Sequence, residues 1–135
     1  MVDDPDNKDQ ILLEGQRILV AEDELFVSMM MEDTITEAGG MVLGPVISVS
    51  DALNLLDAAS ADGGIHAAVI NLRLGQQTTT RLADALTEQG VPFIYATGYN
   101  SHGDIEAHRE AMVLAKPYTS PDLLQALKSL LNRSP

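Results

Sequence analysis

Residues 67 to 75 read Ala-Ala-Val-Ile-Asn-Leu-Arg-Leu-Gly, and this stretch decides the fold. Its first four residues are all apolar, which is typical of a strand buried on both faces of a parallel sheet. A polar residue, Asn71, ends the run, and Gly75 closes the stretch. We expect Asn71 to lie at the carboxyl edge of a parallel sheet, where α/β proteins bind their ligands.

Similar apolar runs recur on both sides of this stretch. We predict five strands, at 17–21, 41–46, 67–70, 93–96 and 111–115. The second strand contains Gly44-Pro45. Because proline cannot donate to a sheet ladder, we expect this strand either to end early or to lie at the edge of the sheet. Helices are predicted at 25–35, at 52–59 behind an N-cap at Ser50-Asp51, at 81–88, at 101–109, and at 123–131 behind a capping segment at 119–122.

The alternation of strands and helices predicts an α/β domain with a parallel sheet, right-handed crossovers and helices on both faces. The chain has 135 residues, which suits one domain with one core. Residues 1–14 are rich in Asp and poor in apolar side chains, so we expect a flexible acidic tail followed by a folded domain at 15–135.

Composition excludes several classes of protein. The absence of Cys rules out disulfides and thiolate metal sites. No apolar run approaches the roughly 20 residues that span a bilayer, and the acidic N-terminus lacks the features of a signal peptide, so a cytoplasmic location is expected. The net charge is −12 and no Lys/Arg cluster occurs, which argues against a nucleic-acid partner. Aromatics make up only 4%, so Met29-Met30-Met31 is interpreted as core filling.

Polar side chains follow four of the predicted strands. The trio Glu22-Asp23-Glu24 follows the first strand, Asn71 the third, Thr97 the fourth and Lys116 the fifth. Because the carboxyl ends of parallel strands share one edge, these groups should meet there and could bind Mg²⁺ and a phosphoryl group. The three histidines, at positions 66, 102 and 108, lack metal-ligand spacing and are predicted to lie at the surface.

In this order, the four motifs resemble those of the receiver domains of two-component response regulators, over nearly all of residues 16 to 133. The resemblance implies a flavodoxin-like (βα)5 fold with strand order 2-1-3-4-5. It also implies that Glu22 and Asp23 hold Mg²⁺, together with the Asn71 side chain and the backbone carbonyl of Arg73. The resemblance implies that Thr97 contacts the phosphoryl group and that Lys116 forms an ion pair with the phosphoacceptor. It also implies a cis peptide bond between Lys116 and Pro117.

Two positions depart from the family pattern. Asn71 stands where receivers carry the aspartate that accepts the phosphoryl group, and Val113 stands at the position of the aromatic switch residue. A carboxamide is a poor nucleophile and cannot yield an acyl phosphate, so phosphotransfer to Asn71 should fail. Loss of the charge removes on the order of 4 kcal/mol of attraction for Mg²⁺, partly offset by reduced repulsion, so weak binding is expected. Natural divergence and an engineered Asp-to-Asn replacement both remain open.

The stretch from Tyr95 to Asn100 is similar to the Phe-Ala-Thr-Gly-x-Tyr motif of a subgroup of single-domain receivers, with Tyr for the first Phe and Asn for the last Tyr. The resemblance therefore implies a stand-alone, non-enzymatic signalling domain whose partner is a histidine kinase or another phosphorelay protein. The alternative is a small phosphate-handling enzyme of flavodoxin-like fold. Such an enzyme would need a nucleophile, and the third strand ends in an amide instead.

Two surfaces are candidates for the partner contact. Residues 101 to 131 include Arg109 and Tyr118, and we expect Tyr118, with the neighbouring Tyr99, to be exposed. In receivers this surface is also one through which two copies can pair as a homodimer. The second candidate is the first helix near Phe26.

Overall fold

The computed structural model describes residues 12–98, 108 and 111–133. The elements follow in the order β1 (Arg17–Ala21), α1 (Leu25–Glu37), β2 (Met41–Val46), α2 (Val49–Ser60), β3 (Ala67–Asn71), β4 (Arg73–Leu74), β5 (Gln77–Thr78), α3 (Thr80–Glu88), β6 (Phe93–Thr97), β7 (Met112–Ala115) and α4 (Ser120–Arg133).

Five strands form one parallel sheet in the order β2-β1-β3-β6-β7, while β4 and β5 form a separate antiparallel hairpin. This is the flavodoxin-like order 2-1-3-4-5, so the predicted fold is confirmed. Strand β2 lies at the edge, as its Gly-Pro pair indicated. Gly44 has φ +104°, and a Cβ there would lie 2.7 Å from the Val20 carbonyl oxygen, so close packing against β1 requires glycine.

The core lies on both faces of the sheet because side chains of the central strands alternate. Leu19, Ala21, Ala68 and Ile70 face α2 and α3, whereas Ile18, Val20, Ala67 and Val69 face α1 and α4. All eight are fully buried, which explains why β1 and β3 are almost continuously apolar. Four helices of the described residues thus cover the two faces of one sheet.

Helix α2 begins three residues before the predicted start. Its N-cap is Ser48, whose hydroxyl oxygen accepts the Asp51 N–H at 3.0 Å, so the predicted cap at Ser50-Asp51 is wrong. Helix α4 also begins early, at Ser120, after a reciprocal cap. The Thr119 N–H donates to an Asp122 carboxylate oxygen at 3.0 Å, and the Asp122 N–H donates to the Thr119 hydroxyl at 3.3 Å.

The packed part of the chain starts before the boundary predicted at residues 14 and 15. Leu13 is fully buried, and its N–H donates to the Ala38 carbonyl at 2.8 Å. Residues 1–11, and the predicted helix at 101–109 apart from His108, lie outside the described residues. The interpretation of the methionines as core filling holds for Met31, which is fully buried, and fails for Met29, which is 50% exposed.

No helix in residues 12–98 and 111–133 is both long enough and apolar enough to cross a membrane.

Candidate functional site

The register of the sheet brings the predicted site residues to one edge. Ala21 lies beside Ile70, Asn71 beside Ala96, and Thr97 beside Ala115. The acidic trio that follows β1, the last residue of β3 and the lysine that follows β7 therefore emerge together. The contacts below show that Glu22, Asp23, Asn71 and Lys116 form one connected group.

Asn71 turns the nitrogen of its carboxamide towards the carboxylates. Nδ2 donates to Glu22 Oε2 at 3.1 Å and to Asp23 Oδ1 at 3.2 Å. Exchanging the amide oxygen and nitrogen would bring three oxygens together with no hydrogen between them, so charge decides this orientation. Hydrogen bonds to charged acceptors contribute about 1.5–3 kcal/mol each, which makes Asn71 a structural tie between β1 and β3.

Lys116 supplies the positive charge of the group. Its Nζ lies 2.9 Å from Glu22 Oε1 and 3.2 Å from Glu24 Oε2. The Lys116 backbone N–H donates to the Thr97 carbonyl at 2.8 Å, which fixes the start of the side chain beside β6. The peptide bond between Lys116 and Pro117 is cis, as the family resemblance implied.

Glu22 and Asp23 are neighbours in the sequence but differ in environment. Glu22 is 1% exposed, and burial raises the pKa of its carboxyl, whereas the Glu24 N–H and the Lys116 ammonium act in the opposite direction. The Glu24 N–H donates to Glu22 Oε2 at 3.0 Å. Asp23 is exposed, and its Oδ2 accepts the Gly75 N–H at 2.9 Å. Three of the four carboxylate oxygens of this pair accept a hydrogen bond, and the fourth, the buried Glu22 Oε1, lies 2.9 Å from the Lys116 ammonium without a hydrogen bond among the described residues.

Two residues of the segment after β3 support the site and were not identified from the sequence. Thr79 is fully buried, and its hydroxyl lies 2.7 Å from the Asn71 carbonyl oxygen and 3.0 Å from that of Leu72. Gly75 has φ +61° in the turn between β4 and β5, which lets its N–H reach Asp23. Only Gly75 at a tight turn carries a local signal for this hairpin.

Thr97 reaches the edge but makes a local contact. It is 3% exposed, and its hydroxyl donates to the Gly98 carbonyl at 3.0 Å. Its role as a phosphoryl contact stays a prediction. Val113, at the aromatic switch position, is 39% exposed on β7 and lies beside Tyr95.

Tyr118 was predicted to be exposed, and that expectation is wrong. Tyr118 is partly buried against the core cluster that includes Ile18, Met31 and Leu123, and its hydroxyl is buried without a hydrogen-bond partner among the described residues. Burial, followed by the negative charges of Glu22 and Glu24, raises the pKa of Tyr118 well above its ordinary value. The Tyr118 hydroxyl is therefore close enough to Glu22 and Glu24 for their charges to affect its pKa.

A second polar cluster lies on the face of the sheet that packs against α2 and α3. His108 Nε2 is 2.7 Å from Asp84 Oδ1, and the His108 ring stands edge to face with Phe93 and Tyr95, at centroid distances of 5.7 and 6.5 Å. Burial and then Asp84 raise the pKa of Tyr95 to about 12. The predicted surface position holds for His66, which is exposed, but not for His108. His102 lies outside the described residues.

The oxygen donors at the edge suit Mg²⁺ in chemical type, since Mg²⁺ prefers carboxylate and carbonyl ligands and retains several waters. Within the described ranges, no three His, Asp or Glu side chains are grouped so that they could hold a metal ion. The expected ligand set is Glu22, Asp23, the Asn71 amide oxygen and the Arg73 carbonyl. It requires the carboxamide of Asn71 to turn over, because the nitrogen now faces the carboxylates. These ligand assignments stay predictions.

A parallel sheet of this strand order, with an acidic pair, a strand-end polar residue, a hydroxyl and a lysine at its carboxyl edge, defines the class of receiver domains. SdrG from Sphingomonas melonis Fr1 is 36% identical, over 86% of this chain and 96% of SdrG, with a TM-score of 0.72. A response regulator receiver protein from Sinorhizobium medicae WSM419 is 28% identical, over 91% and 99% of the two chains, with a TM-score of 0.75. The chain belongs to the receiver-domain family of response regulators.

A longer relative is similar as well. The transcriptional regulatory protein PdtaR of Mycobacterium tuberculosis is 24% identical over 121 residues, which are 87% of this chain and 58% of PdtaR. The chain thus spans little more than half the length of that curated relative. No protein-family model matches the chain.

Proposed function

We propose that this receiver domain signals through protein–protein contact, in a two-component or phosphorelay system, without forming an aspartyl phosphate at position 71. The observation that carries the proposal is the carboxamide of Asn71 at the end of β3, held by Glu22 and Asp23. In a phosphorylated receiver, a carboxylate at this position attacks the phosphoryl group in line. The amide cannot form that bond, and the same lack of a nucleophile disfavours a phosphate-handling enzyme.

The surface beside the site supports a role in binding. Four apolar side chains are exposed around the start of α1, and we call them the α1 patch: Leu25 (67% exposed), Phe26 (82%), Met29 (50%) and Ile47 (64%). The three helical members lie within an arc of about 100° on α1. Ile47 follows Val46, whose carbonyl accepts the Glu22 N–H at 3.0 Å. Grouped exposed apolar residues of this kind mark interaction sites in soluble proteins.

Charge restricts the kind of partner. The next turn of α1 exposes Glu32 and Asp33, and the acidic trio lies beside the first turn. A partner that fits this surface has an apolar centre and a basic rim, and opposite charges also speed the encounter. We assign the patch to a helical histidine kinase or phosphotransfer protein. Pairing of two copies through residues 101 to 131 and the lack of a nucleic-acid partner remain predictions.

A matched pair of methionines tests the α1 patch. Met29 and Met41 are exposed to similar degrees, 50% and 53%, but Met41 lies at the amino end of β2, at the opposite edge of the sheet. Binding to histidine kinases and phosphotransfer proteins of the same cell is measured by calorimetry for Phe26→Ala, Met29→Ala and Met41→Ala.

Phe26→Ala should weaken binding about 10-fold or more, as expected for an aromatic anchor. Met29→Ala should weaken it less, and Met41→Ala should leave it unchanged, with all three proteins equally stable to within about 0.5 kcal/mol. Equal affinities of the Phe26→Ala and Met41→Ala proteins would show that the partner docks elsewhere.

A further inference from the structure

The acidic pair of this site is held by hydrogen bonds and by the Lys116 ammonium. Two carboxylates and the neighbouring Glu24 meet at one edge, a concentration of negative charge that receivers offset with a bound metal ion. Here Glu22 Oε1 faces the Lys116 ammonium, Glu22 Oε2 accepts from Glu24 and Asn71, and the oxygens of Asp23 accept from Asn71 and Gly75. The Asn71 carboxamide contacts both acids.

We propose that the Asn71 carboxamide takes over the bridging role of a metal ion by holding Glu22 and Asp23 in place through hydrogen bonds, and that Mg²⁺ binds only when the carboxamide turns its oxygen towards the two carboxylates. This inference deepens the proposed function. It rests on that function only in placing Asn71 at the phosphoacceptor position. It makes Asn71 a positioning residue.

The geometry supports this bridging role in three ways. The two hydrogens of one Nδ2 atom suffice for the two contacts, at 3.1 and 3.2 Å, so one neutral group bridges two charged ones. The Asn71 backbone is held by Thr79, whose hydroxyl lies 2.7 Å from the Asn71 carbonyl oxygen, so the side chain projects from a fixed point. Finally, Asp23 Oδ2 accepts the Gly75 N–H at 2.9 Å, so the Asp23 carboxylate is held between the Asn71 amide and the β4–β5 turn.

A consequence follows for metal binding. An arriving Mg²⁺ meets amide hydrogens where it needs oxygen ligands, so binding must break both Asn71 contacts before the amide oxygen can serve. An aspartate at the same position has no hydrogens to remove and adds a negative charge. The parent protein should therefore bind Mg²⁺ at least about 10-fold more weakly than Asn71→Asp, while being the more stable of the two without metal.

The test uses three single substitutions in the full chain. Asn71→Asp removes both donors and adds a charge, and Asn71→Ala removes both donors without adding one. Asn54→Asp adds the same charge at an exposed position of α2, away from the site. Thermal midpoints are measured in EDTA and over a MgCl2 titration. The Asn71 side-chain NH2 signals are followed by ¹H–¹⁵N NMR and assigned from their absence in Asn71→Ala.

In EDTA, both substitutions at Asn71 should lower the thermal midpoint by several degrees, and Asn71→Asp should lower it by roughly 5 °C or more. Adding Mg²⁺ should recover most of the loss in Asn71→Asp. The Asn54→Asp midpoint should stay within about 2 °C of the parent and should not respond to Mg²⁺ more than the parent does. In the parent, the NH2 signals should show slowed hydrogen exchange in EDTA and should shift only as Mg²⁺ saturates.

Equal midpoints of Asn71→Ala and the parent in EDTA, or equal Mg²⁺ affinities of Asn71→Asp and the parent, would overturn the proposal. If Asn71→Asp does not fold without metal, the Asn71→Ala comparison decides the outcome. No binding partner takes part, so this result is independent of whether the α1 patch binds a kinase.

Discussion

The carboxyl edge of the sheet and the α1 patch lie side by side but differ in how their side chains are paired. The polar atoms at the edge mostly contact other groups of the protein, whereas the apolar side chains of the patch are exposed. At the edge, three of the four oxygens of Glu22 and Asp23 accept hydrogen bonds from the protein itself, and Glu22 Oε1 faces the Lys116 ammonium at 2.9 Å. On the patch, Phe26 is 82% exposed although the chain has only two phenylalanines. The polar atoms of the region that carries chemistry in receivers are mostly paired within the protein here, whereas the region beside it exposes apolar side chains to a partner.

The two regions differ in whether their exposed groups gain from a partner. Polar groups that are paired within the protein need no ligand, and Glu22 Oε1 is the one buried oxygen of the acidic pair that lacks a hydrogen bond among the described residues. An exposed aromatic side chain gains by burial, at about 25 cal/mol per Å² of apolar area, so the patch favours association. The predictions below test the two halves of this contrast.

The largest effect should come from removing the cation at the edge. Lys116→Met keeps most of the aliphatic stem but leaves the buried carboxylate of Glu22 without its positive partner, so the free energy of unfolding should fall by about 3 kcal/mol. Urea denaturation measures the change. Lys128→Met, at an exposed site on α4, is the matched control and should change stability by less than about 0.5 kcal/mol.

The double variant Lys116→Met/Glu22→Gln should recover most of the lost stability, because it removes the charge that Lys116 neutralised. Similar stabilities of the Lys116→Met and Lys128→Met proteins would mean that the edge is not held by this ion pair.

A smaller effect, of opposite sign, is expected at Tyr118. Its hydroxyl is buried with no partner among the described residues, so Tyr118→Phe removes an unsatisfied polar group while keeping the ring. The free energy of unfolding should rise by about 1 kcal/mol. A clear loss of stability instead would show that the hydroxyl has a partner in the folded protein, for example an ordered water.

The smallest effect concerns pH and Glu22. Because burial raises the folded-state pKa of Glu22 above its ordinary value of 4.5, the unfolded chain releases this proton first as pH rises. The contribution of Glu22 to stability should therefore fall with increasing pH between 4.5 and the folded pKa, and stay level above it. Denaturation of the parent and Glu22→Gln across this range measures the difference between them, and a difference that grows with pH in favour of the parent would contradict the sign.

The sequence predicts the sheet well because its signals are local. Each strand is an apolar run, and the polar residue after it defines the edge at which the site forms. The order of the strands came from resemblance, and the structure has the same order. The helix starts at Val49 and Ser120 were missed because several residues before each one can serve as a cap.

The site contacts depend on residues far apart in the chain, and no local pattern encodes them. Asn71 meets Glu22 and Asp23 across 49 and 48 residues, and His108 meets Asp84 across 24. The sequence places the Asn71 side chain at the edge but cannot tell which amide atom faces the acids. That choice is made by the electric field of side chains brought together only in the fold. The burial of Tyr118 has the same origin.

We expect the Asn71→Asp substitution alone to restore phosphotransfer, because the amide at position 71 is the group that cannot form an acyl phosphate. The most direct measurement is the intact mass of the parent and of Asn71→Asp after incubation with acetyl phosphate and Mg²⁺. We expect one hydroxylamine-sensitive phosphoryl group on Asn71→Asp and none on the parent. A labelled parent, or an Asn71→Asp protein that stays unlabelled in the presence of Mg²⁺, would contradict this expectation.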